Sequence, residues 1–474
     1  MSKLSLLFVA SEVYPFAKTG GLADVTHSLP RALRSAYDVS VVMPLYQSIE
    51  RKRFEIVALE EKFNLSIGGT EYPVELYGCT HDGIDYRFIY SPLLCDREFL
   101  YGSPQCGYDD NDIRFGIFNY AIVALLKRHP YAIAHLNDWQ SALVPLLIKQ
   151  DGTIPTKTLF TIHNLSYQGN FDSSTLHKLG ISEEYFTMDG LEFHGMVSFM
   201  KAGIAYCDRL TTVSPTYAKE ILKSEFGCGL EGFLSHHRSK LTGILNGIDT
   251  EYFSPVNNQA LVQSYSDISG KALNKKDFLK QAGLKGTKKP LFIFIGRFVS
   301  QKGMDLLIEV LPKIALLECN IAVLGDGEMH YCDALNAIAQ KHANVHLTIG
   351  YDETLSHRMY AASDFLLMPS LYEPCGLNQL IAMSYGSVPV VHLVGGLADT
   401  VRNIDKYESE KQDGFGIVFT RPSAKFFINA INRAMELYGD KRSYSEIVNH
   451  NMKCDFSWKK SVKHYLSLYK KIID

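Results

Sequence analysis

The sequence predicts an α/β protein made of two doubly wound domains, each built on a mostly parallel sheet. Three observations support this prediction. The chain has 474 residues, which is more than a single hydrophobic core usually serves. Short apolar runs alternate with segments of helical periodicity in both halves, which is the pattern of strand–helix–strand units. A polar stretch at residues 246–276 separates the two series.

The first series starts at the apolar run Leu4–Ala10. A polar pair ends this run and no small-residue cleavage site follows, so we interpret it as a buried strand and not as a secretory signal. A helical pattern and a second strand at Val39–Met43 come next. Alternating runs between Phe54 and Tyr90, broken by turns at 68–69 and 82–83, predict hairpins inserted in the first domain. The later strands are predicted at Ile133–Leu136, Thr158–Ile162 and Leu210–Val213.

The second series is more regular and predicts about six parallel strands with crossover helices. Its apolar runs are Leu291–Ile295, Ile321–Leu324, Val345–Ile349, Phe365–Met368, Val388–Val391 and Ile417–Phe419. The segment Asn246-Gly247-Ile248-Asp249 is interpreted as the turn between the domains. Open parallel sheets bind ligands at the carboxyl ends of their strands. We therefore expect the two sheets to face each other across a cleft that combines residues from both halves.

The composition disfavours several functional classes. Hydrophobic residues make up 46% and charged residues 21% of the chain, which is ordinary for a folded globular protein. The formal charge of −3 leaves no basic surplus for bulk attraction to nucleic acid or to an anionic membrane. No apolar run reaches the length of a membrane span. The nine cysteines are scattered without metal-binding spacing, which favours reduced thiols in a cytoplasmic protein.

The loop Lys18-Thr19-Gly20-Gly21 follows the first strand and leads directly into a helix. Paired glycines let the backbone approach a ligand closely, a helix N-terminus attracts anions, and Lys18 adds a positive charge. A tight turn with a solvated lysine is the alternative, so this loop alone does not decide the function. The GxGxxG fingerprint is absent, which disfavours a nicotinamide-dependent dehydrogenase.

Two cations follow the first strand of the second domain, in the segment Gly296-Arg297-Phe298-Val299-Ser300-Gln301-Lys302-Gly303. The guanidinium of Arg297 offers forked hydrogen bonds, and the ammonium of Lys302 acts as a point charge. At the carboxyl end of a strand the two groups together are suited to a diphosphate. Solvation of both side chains on the surface is the alternative.

A third segment, Glu373-Pro374-Cys375-Gly376-Leu377-Asn378, precedes another helix. Gly376 permits an unusual backbone angle, and the free amides of the following helix attract an anion. Glu373 would lie beside that anion, where it could bind sugar hydroxyls or balance positive charge; a purely structural carboxylate at a helix N-terminus is the alternative. No partner base for Cys375 is identifiable, so we interpret its thiol as packing and its backbone as lying near phosphate.

Two strands of the first domain end in polar residues. They are the segments His135-Leu136-Asn137-Asp138-Trp139 and Thr161-Ile162-His163-Asn164. Polar groups at these strand ends are expected on the floor of a site. This location makes His163 a functional candidate, with a satisfied structural histidine as the alternative.

Taken together, these segments resemble the bacterial and plant glycogen and starch synthases, retaining glycosyltransferases of the GT-B architecture. The resemblance spans nearly the whole chain and rests on KTGGLADV, R-x4-KG and EPCGL in this order. It implies two Rossmann-like domains facing across a cleft: an acceptor-side domain at 1–246 and a nucleotide-sugar-binding domain at 247–455. It also implies that a helix at 456–474 crosses back to the first domain.

The resemblance implies site residues at the positions that match the family's motifs. The residues implied to act at the reacting sugar and the departing phosphates are Glu373, His163, Asp138, Arg297 and Lys302. The residues implied to bind the donor are Lys18, Gly20, Gly21, Asn246, Gly350, Tyr351, Cys375, Gly376 and Leu377, together with Arg297 and Lys302.

The chain departs from the family's usual pattern at three of these segments. Asn137 stands where a histidine is common, Gly296 where a serine is common and Asn378 where a threonine often follows. None of these departures removes a charged donor contact, so they bear on fine specificity more than on reaction class.

The resemblance implies transfer of glucose from ADP-glucose to the non-reducing end of an α-1,4-glucan such as glycogen, with retention and without a cofactor or metal. UDP-glucose or another acceptor remains an alternative, as does a non-catalytic glucan-binding protein. Asp110-Asn111-Asp112 has the DxD form that holds a divalent metal in many sugar-nucleotide transferases. It immediately precedes a helical pattern, where acidic residues have a structural role, so we expect no metal there.

Overall fold

The computed structural model describes residues 3–103, 106–408, 410 and 413–474. The chain divides into two compact units. Unit 1 consists of Met1–Asn246 with Trp458–Asp474, and unit 2 consists of Gly247–Ser457. Each unit is built on a sheet that is wholly or mostly parallel, which confirms the predicted fold class.

Unit 1 is organised around a nine-stranded sheet. Its strands are β1 (Ser5–Val9), β2 (Asp38–Pro44), β3 (Val57–Ile67), β4 (Thr70–His81), β5 (Ile84–Tyr90), β6 (Ile133–Asn137), β7 (Lys157–Ile162), β11 (Arg209–Thr212) and β12 (Leu241–Gly243). A small antiparallel sheet contains β8 (Asn170–Phe171), β9 (Glu192–Phe193) and β10 (Met196–Ser198). The order in the large sheet is β12-β11-β7-β6-β1-β2-β5-β4-β3. The β6 and β7 strands, which carry the polar termini, therefore lie side by side, and β6 also pairs with β1.

The predicted hairpins are confirmed. They extend the main sheet: β5 pairs parallel with β2, and β4 and β3 continue antiparallel from it. Gly68, Gly69 and Gly83 take positive φ angles of 53°, 81° and 72° at the two turns, a region that glycine enters at little cost. Strands β3, β4 and β5 thus belong to the same hydrogen-bonded sheet as the parallel strands and form one edge of it.

Unit 2 contains a seven-stranded sheet in which all pairs are parallel. Its strands are β13 (Leu291–Ile295), β14 (Asn320–Gly325), β15 (Val345–Ile349), β16 (Phe365–Met368), β17 (Val388–His392), β18 (Val401–Asn403) and β19 (Gly414–Phe419). The order is β15-β14-β13-β16-β17-β19-β18. Six of these strands coincide with predicted runs. The edge strand β18 was missed because three residues, two of them polar, give no apolar run.

Helices connect the strands in both units. They are α1 (Gly21–Leu33), α2 (Pro92–Cys95), α3 (Asn111–Arg128), α4 (Val144–Asp151), α5 (Thr175–Leu179), α6 (Phe199–Tyr206), α7 (Pro215–Glu220), α8 (Glu231–His236), α9 (Lys271–Gln281), α10 (Met304–Ile314), α11 (Met329–Lys341), α12 (Glu353–Ala362), α13 (Asn378–Ser384), α14 (Gly395–Thr400), α15 (Ala424–Gly439), α16 (Lys441–Lys453) and α17 (Lys459–Ile473). Within the described ranges, no helix combines the length and the apolar character needed to cross a bilayer.

Helix α17 belongs to unit 1, although it follows unit 2 in the sequence. It packs against α1 and β7 and buries Tyr465 and Tyr469 in the core. The Tyr469 hydroxyl lies 2.7 Å from Nδ1 of His135, and Nε2 of the same ring lies 2.7 Å from the Thr161 hydroxyl. Burial holds the pKa of His135 well below its usual value. The hydroxyl of α17 therefore satisfies a buried neutral histidine in β6.

Unit 2 buries two lysines near one aspartate. Lys275 Nζ lies 2.5 Å from Asp364 Oδ2. Lys271 Nζ instead donates to the backbone carbonyls of Tyr385, at 2.5 Å, and Tyr360, at 3.3 Å. Burial lowers the pKa of Lys271 to about 7; the charge of Asp364 opposes this shift and that of Lys275 adds to it. Lys271 is thus charged in the folded state only below about neutral pH.

We expect Lys271 to make the stability of unit 2 depend on pH. Between about pH 7 and pH 9 the unfolded lysine stays protonated while the folded one is neutral, so the free energy of unfolding rises with pH by about 1.4 kcal/mol per unit. Below that window the cost of burying the charge is constant. Lys271→Met should remove this slope, as measured by hydrogen exchange of unit 2 at each pH relative to wild type. Lys276→Met, an exposed position on the same helix, should retain it. An equal slope in both variants would contradict the assignment.

Candidate active site

The Lys18 loop is held by a buried carboxylate. Glu12, which is 4% exposed, accepts hydrogen bonds from the backbone amides of Thr19, at 2.5 Å, and Gly20, at 3.2 Å. Its other oxygen accepts the Thr19 hydroxyl at 2.7 Å. Lys18 Nζ forms an ion pair with Asp24 Oδ1 of α1 at 2.8 Å. The Thr19 and Gly20 amides are therefore engaged by the protein itself, and Gly21 is the exposed first residue of the helix.

Asp138 follows β6 in a backbone conformation that is rare for residues other than glycine. Its φ of 58° and ψ of 178° cost on the order of 1–3 kcal/mol. The side chain explains why the conformation is kept, because Oδ1 accepts the backbone amide of His163 at 2.8 Å. Burial raises the pKa of Asp138 to about 7, although the amides of His163 and Asn164 oppose the shift. The carboxyl group therefore titrates near neutral pH.

The His163 ring is fixed by the neighbouring strand. Its Nε2 atom lies 2.9 Å from Oδ1 of Asn137, the last residue of β6. Burial lowers the pKa of His163 to about 3. The ring is consequently neutral at physiological pH and can make hydrogen bonds without carrying charge. Asp138 binds the backbone of this residue and Asn137 binds its ring.

The segment after β13 carries the two predicted cations of unit 2. Arg297 is exposed, and its Nη2 atom lies 3.4 Å from Gln301 Oε1. Lys302 ends a 3-10 turn, and Gly303, with φ of 72°, flanks the N-terminus of α10. A side chain at Gly303 would overlap the carbonyl of Pro369, so glycine is required there. The turn therefore keeps Lys302 next to the segment that follows β16.

Lys302 and Glu373 form an ion pair across 71 positions of sequence. Lys302 Nζ lies 2.9 Å and 2.7 Å from the two carboxylate oxygens of Glu373. The Ser370 hydroxyl donates to Oε2 of the same carboxylate at 3.0 Å. Glu373 is only 4% exposed, and a buried charge needs partners to offset its lost hydration. The Lys302 ammonium and the Ser370 hydroxyl supply them. The prediction treated the two residues separately; the structure brings them together.

The Cys375-Gly376 backbone is shaped by glycines and by a buried amide. Gly376 has φ of 71°, and Gln379 Nε2 donates to the carbonyls of Cys375, at 3.1 Å, and Gly376, at 3.0 Å. The amide of Gly396 donates to the Glu373 carbonyl at 2.9 Å. Gly396 packs so closely on Cys375 that any side chain would overlap its backbone. Close glycine packing thus fixes the loop that carries Glu373.

The other predicted donor-binding residues occupy loop and helix-start positions. Leu377 is the N-terminal flanking residue of α13. Gly350 has φ of 126° and donates its amide to the Gly325 carbonyl at 2.8 Å. The next residue, Tyr351, is 74% exposed. Asn246 is buried at the end of the first segment of unit 1, and its Oδ1 atom has no hydrogen-bond partner among the described residues.

The DxD-like segment has structural partners. Asp110 forms an ion pair with Arg97 at 2.6 Å, and its side chain makes no capping hydrogen bond to α3. Asp112 is buried and accepts hydrogen bonds from Thr175, at 2.8 Å, and Lys178, at 3.0 Å. The predicted helix start is confirmed, but Asp110 acts through an ion pair and not as a side-chain cap.

Two residues beside the predicted ones, Glu12 and Ser370, were missed by sequence reasoning, and the contact of a third, Asn137, was not predicted. Glu12 binds the Lys18 loop, Asn137 binds His163, and Ser370 binds Glu373. Glu12 follows β1 at the ligand-binding end of the sheet, a signal that could have found it. The sequence placed Glu12 only in the polar pair that ends the first apolar run. It placed Asn137 among the polar residues expected on the floor of a site, but it did not predict the contact with His163.

Comparison with known proteins supports the resemblance over the whole chain. A family model described as the starch synthase catalytic domain matches residues 5–236, and one described as glycosyl transferases group 1 matches residues 275–450. The chain is 41% identical over 475 residues to a glycogen synthase of Aquifex aeolicus and 39% identical over 483 residues to one of Syntrophotalea carbinolica. Each alignment covers 99% of both proteins.

A solved structure agrees with these sequence relatives. The catalytic domain of starch synthase IV from Arabidopsis thaliana, bound to ADP and acarbose, superimposes with a TM-score of 0.93 at 34% identity, covering 100% of both chains. The predicted GT-B architecture is therefore confirmed. The chain belongs to the family of glycogen and starch synthases, which are GT-B glycosyltransferases.

Proposed function

We propose that this protein transfers glucose from ADP-glucose to the non-reducing end of an α-1,4-glucan such as glycogen, with retention of configuration. The observation that carries the proposal is the Lys302–Glu373 pair, with Lys302 Nζ 2.7 Å from the carboxylate, beside the glycine-packed loop at Cys375 and Gly376. A cation suited to a leaving phosphate and a carboxylate suited to a sugar are thus adjacent. The full-length similarity to glycogen synthases supports the same reaction.

The departing diphosphate is the first charge that the site must stabilise. The bond between glucose C1 and the phosphate oxygen breaks, and its electron pair leaves with the diphosphate. Arg297 and Lys302 neutralise that charge, aided by the backbone at Gly376 and Leu377. By resemblance to the family, Lys18 is also proposed to bind the donor. Losing one such donor typically costs about 10²–10³ in rate.

The second charge develops on the glucose ring. The 4-hydroxyl oxygen of the glucan forms the new bond to C1 on the face from which the diphosphate departs, and its proton passes to the leaving phosphate. Glu373 and the ionised form of Asp138 balance the positive ring, while neutral His163 binds the sugar. No side chain forms a covalent intermediate in this scheme, so configuration is retained by same-face attack.

The choice of ADP-glucose rests on similarity. The starch synthase IV structure is described as bound to ADP and acarbose, an adenine nucleotide and an oligosaccharide-like ligand. By resemblance, Gly350 and Tyr351 are proposed to pack against the nucleoside base of the donor, and Asn246 is proposed to bind the donor. We also propose that the reaction occurs in the cytoplasm, which is consistent with nine cysteines outside any disulfide.

The proposal is tested by offering ADP-glucose and UDP-glucose separately, each with labelled glucose, glycogen and a chelator. We expect label from ADP-glucose in precipitated polymer and release of one nucleoside diphosphate per glucose transferred. A control without glycogen measures hydrolysis of the donor. Preference for UDP-glucose would overturn the donor assignment, loss of activity with the chelator would overturn the metal-free scheme, and no transfer from either donor would overturn the function.

Gly20→Ala tests whether the Lys18 loop touches the donor. Gly20 has an extended backbone, and a side-chain carbon there would meet no protein atom within 4 Å. The melting temperature should stay within about 1 °C of wild type, since the protein tolerates the methyl group. If the backbone lies against the donor, KM for ADP-glucose should rise about tenfold. Gly232→Ala, which also has open space, should change neither quantity. An unchanged KM in Gly20→Ala would remove Gly20 from the donor site.

A further inference from the structure

Asn137 has a side-chain orientation that its surroundings determine. The residue is 1% exposed at the end of β6, and Nδ2 donates to the backbone carbonyl of Val9 in β1 at 2.9 Å. A backbone carbonyl only accepts hydrogen bonds, so the amide nitrogen must be the atom that faces it. The amide oxygen therefore faces the other side, where the His163 ring lies. The Val9 carbonyl, which can only accept a hydrogen bond, is therefore what fixes the orientation of the Asn137 amide.

The position of the ring proton follows from that orientation. Oδ1 of Asn137 lies 2.9 Å from Nε2 of His163, and a carbonyl oxygen can only accept. Nε2 must therefore be the donor and carry the proton. Burial lowers the pKa of His163 to about 3, so the ring holds a single proton at neutral pH. Nδ1 is then left with a lone pair.

The Nδ1 atom is available to a ligand. It makes no hydrogen bond to any residue that the structure describes. It is also not sealed from solvent. The backbone of His163 is held separately by Asp138, whose carboxylate accepts its amide at 2.8 Å. Two successive residues of one strand end thus bind the backbone and the ring of the same histidine. The ring has one orientation and offers an acceptor.

We propose that Asn137 is a positioning residue that keeps the His163 proton on Nε2, so that Nδ1 accepts a hydrogen bond from a hydroxyl group of the transferred glucose. The first half of this statement concerns the protein alone; the second half rests on the proposed function. With the other tautomer, Nδ1 would carry the proton and could only donate, so the glucose hydroxyl would have to be the acceptor. The chain has asparagine at position 137, where a histidine is common in the family. The amide contact to the His163 ring is therefore a feature of this chain and not of the usual family pattern.

The tautomer is tested by nitrogen NMR of the ligand-free wild-type protein with ¹⁵N-labelled histidines. A His163→Gln spectrum identifies the His163 signals among the 16 histidines. We expect a protonated Nε2 and an unprotonated Nδ1 at neutral pH, without exchange between tautomers. A protonated Nδ1, or a mixture of the two forms, would overturn the proposal. This measurement needs neither a variant at Asn137 nor any enzymatic activity.

The consequence for catalysis is tested with Asn137→Leu. The matched control is Asn119→Leu, because Asn119 is also fully buried in unit 1 and donates to two backbone carbonyls, at 2.6 Å and 2.8 Å, without contacting His163. Both variants lose similar buried hydrogen bonds, but only Asn137→Leu should mix the tautomers of His163. We expect kcat with ADP-glucose to fall about tenfold further in Asn137→Leu than in the control.

The outcomes separate this inference from the proposed function. If wild type transfers no glucose while its His163 shows the expected tautomer, the function fails and the tautomer assignment stands. If wild type is active but Asn137→Leu matches Asn119→Leu in both spectrum and kcat, the positioning role of Asn137 is overturned and the function stands. Should Asn137→Leu not fold, the wild-type spectrum still decides the position of the proton.

Discussion

Replacing Lys302 with methionine is expected to lower kcat/KM for the donor by about 100- to 1000-fold. The ammonium group is the cation nearest to Glu373, and methionine removes the charge while keeping most of the side-chain volume. Charge on the departing diphosphate would then be stabilised by Arg297 without its partner cation. Steady-state kinetics with ADP-glucose and glycogen measure the loss, and kcat should fall more than KM rises, because the charge is greatest in the transition state.

The same substitution has a structural effect that must be separated from the chemical one. Among the residues that the structure describes, it leaves the Glu373 carboxylate, 4% exposed, with only the Ser370 hydroxyl as a side-chain partner. An unpaired buried carboxylate costs about 3–5 kcal/mol. The double variant Lys302→Met with Glu373→Gln removes both charges, so we expect it to recover most of the stability and none of the activity. Recovery of activity in the double variant would show that Lys302 serves only to neutralise Glu373.

Lys275→Met supplies a matched control for the loss of a buried ion pair. Lys275 contacts Asp364 at 2.5 Å in the same unit, and these side chains are 9% and 8% exposed, against 20% and 6% for Lys302 and Glu373. Its replacement should also destabilise unit 2, although Asp364 keeps hydrogen bonds from the Leu291 amide and the Tyr444 hydroxyl. It should leave kcat/KM within about threefold of wild type at a temperature where the protein is folded. Equal losses of activity in the two single variants would point to general destabilisation and contradict the role of Lys302.

Gly396→Ala is expected to destabilise unit 2 by about 2–4 kcal/mol and to reduce turnover at least tenfold. The added methyl group would overlap the Cys375 backbone, which cannot move without shifting Gly376 and Glu373. The Gly396 amide also donates to the Glu373 carbonyl at 2.9 Å, so the displacement reaches the carboxylate directly. Urea unfolding monitored by hydrogen exchange in unit 2, together with kcat at low temperature, measures the two effects.

Gly439→Ala is the control for the chemical change from glycine to alanine. Gly439 lies in the last turn of α15, and a side-chain carbon there meets no atom within 4 Å. It should be neutral or slightly stabilising, because alanine restricts the unfolded chain without strain in the folded one. If Gly396→Ala behaved like Gly439→Ala, the loop would have room to move and its close packing would not control the position of Glu373.

The sequence predicted the strands well where burial on both faces produced continuous apolar runs. The run Leu291–Ile295 coincides with β13 residue by residue, and Val345–Ile349 with β15. Short polar elements such as β18 had no such signal. The turns at Gly68-Gly69 and Asp82-Gly83 were predicted because their positive φ angles favour glycine, a local requirement that is visible in the sequence.

The site was predicted as residue types but not as contacts. Lys302 and Glu373 are 71 positions apart, and nothing in either segment says that their charges meet. Asn137 and His163 meet because β6 and β7 are neighbours in the sheet, an order that depends on tertiary packing. The strained backbone of Asp138 was also invisible, since an aspartate at φ of 58° contradicts local preference. Resemblance to a family predicted which residues act in the site, but the contacts between those residues are visible only in the folded chain.

The return of helix α17 to unit 1 bears on how the polypeptide matures during translation. A nascent chain that has extruded everything through β12 already contains His135, yet its Tyr469 partner is encoded beyond the entire second unit. Multidomain chains commonly fold from the amino end as they emerge from the ribosome. Here the amino-terminal unit cannot complete its core until the second unit has been made, because Tyr465 and Tyr469 of α17 belong to that core.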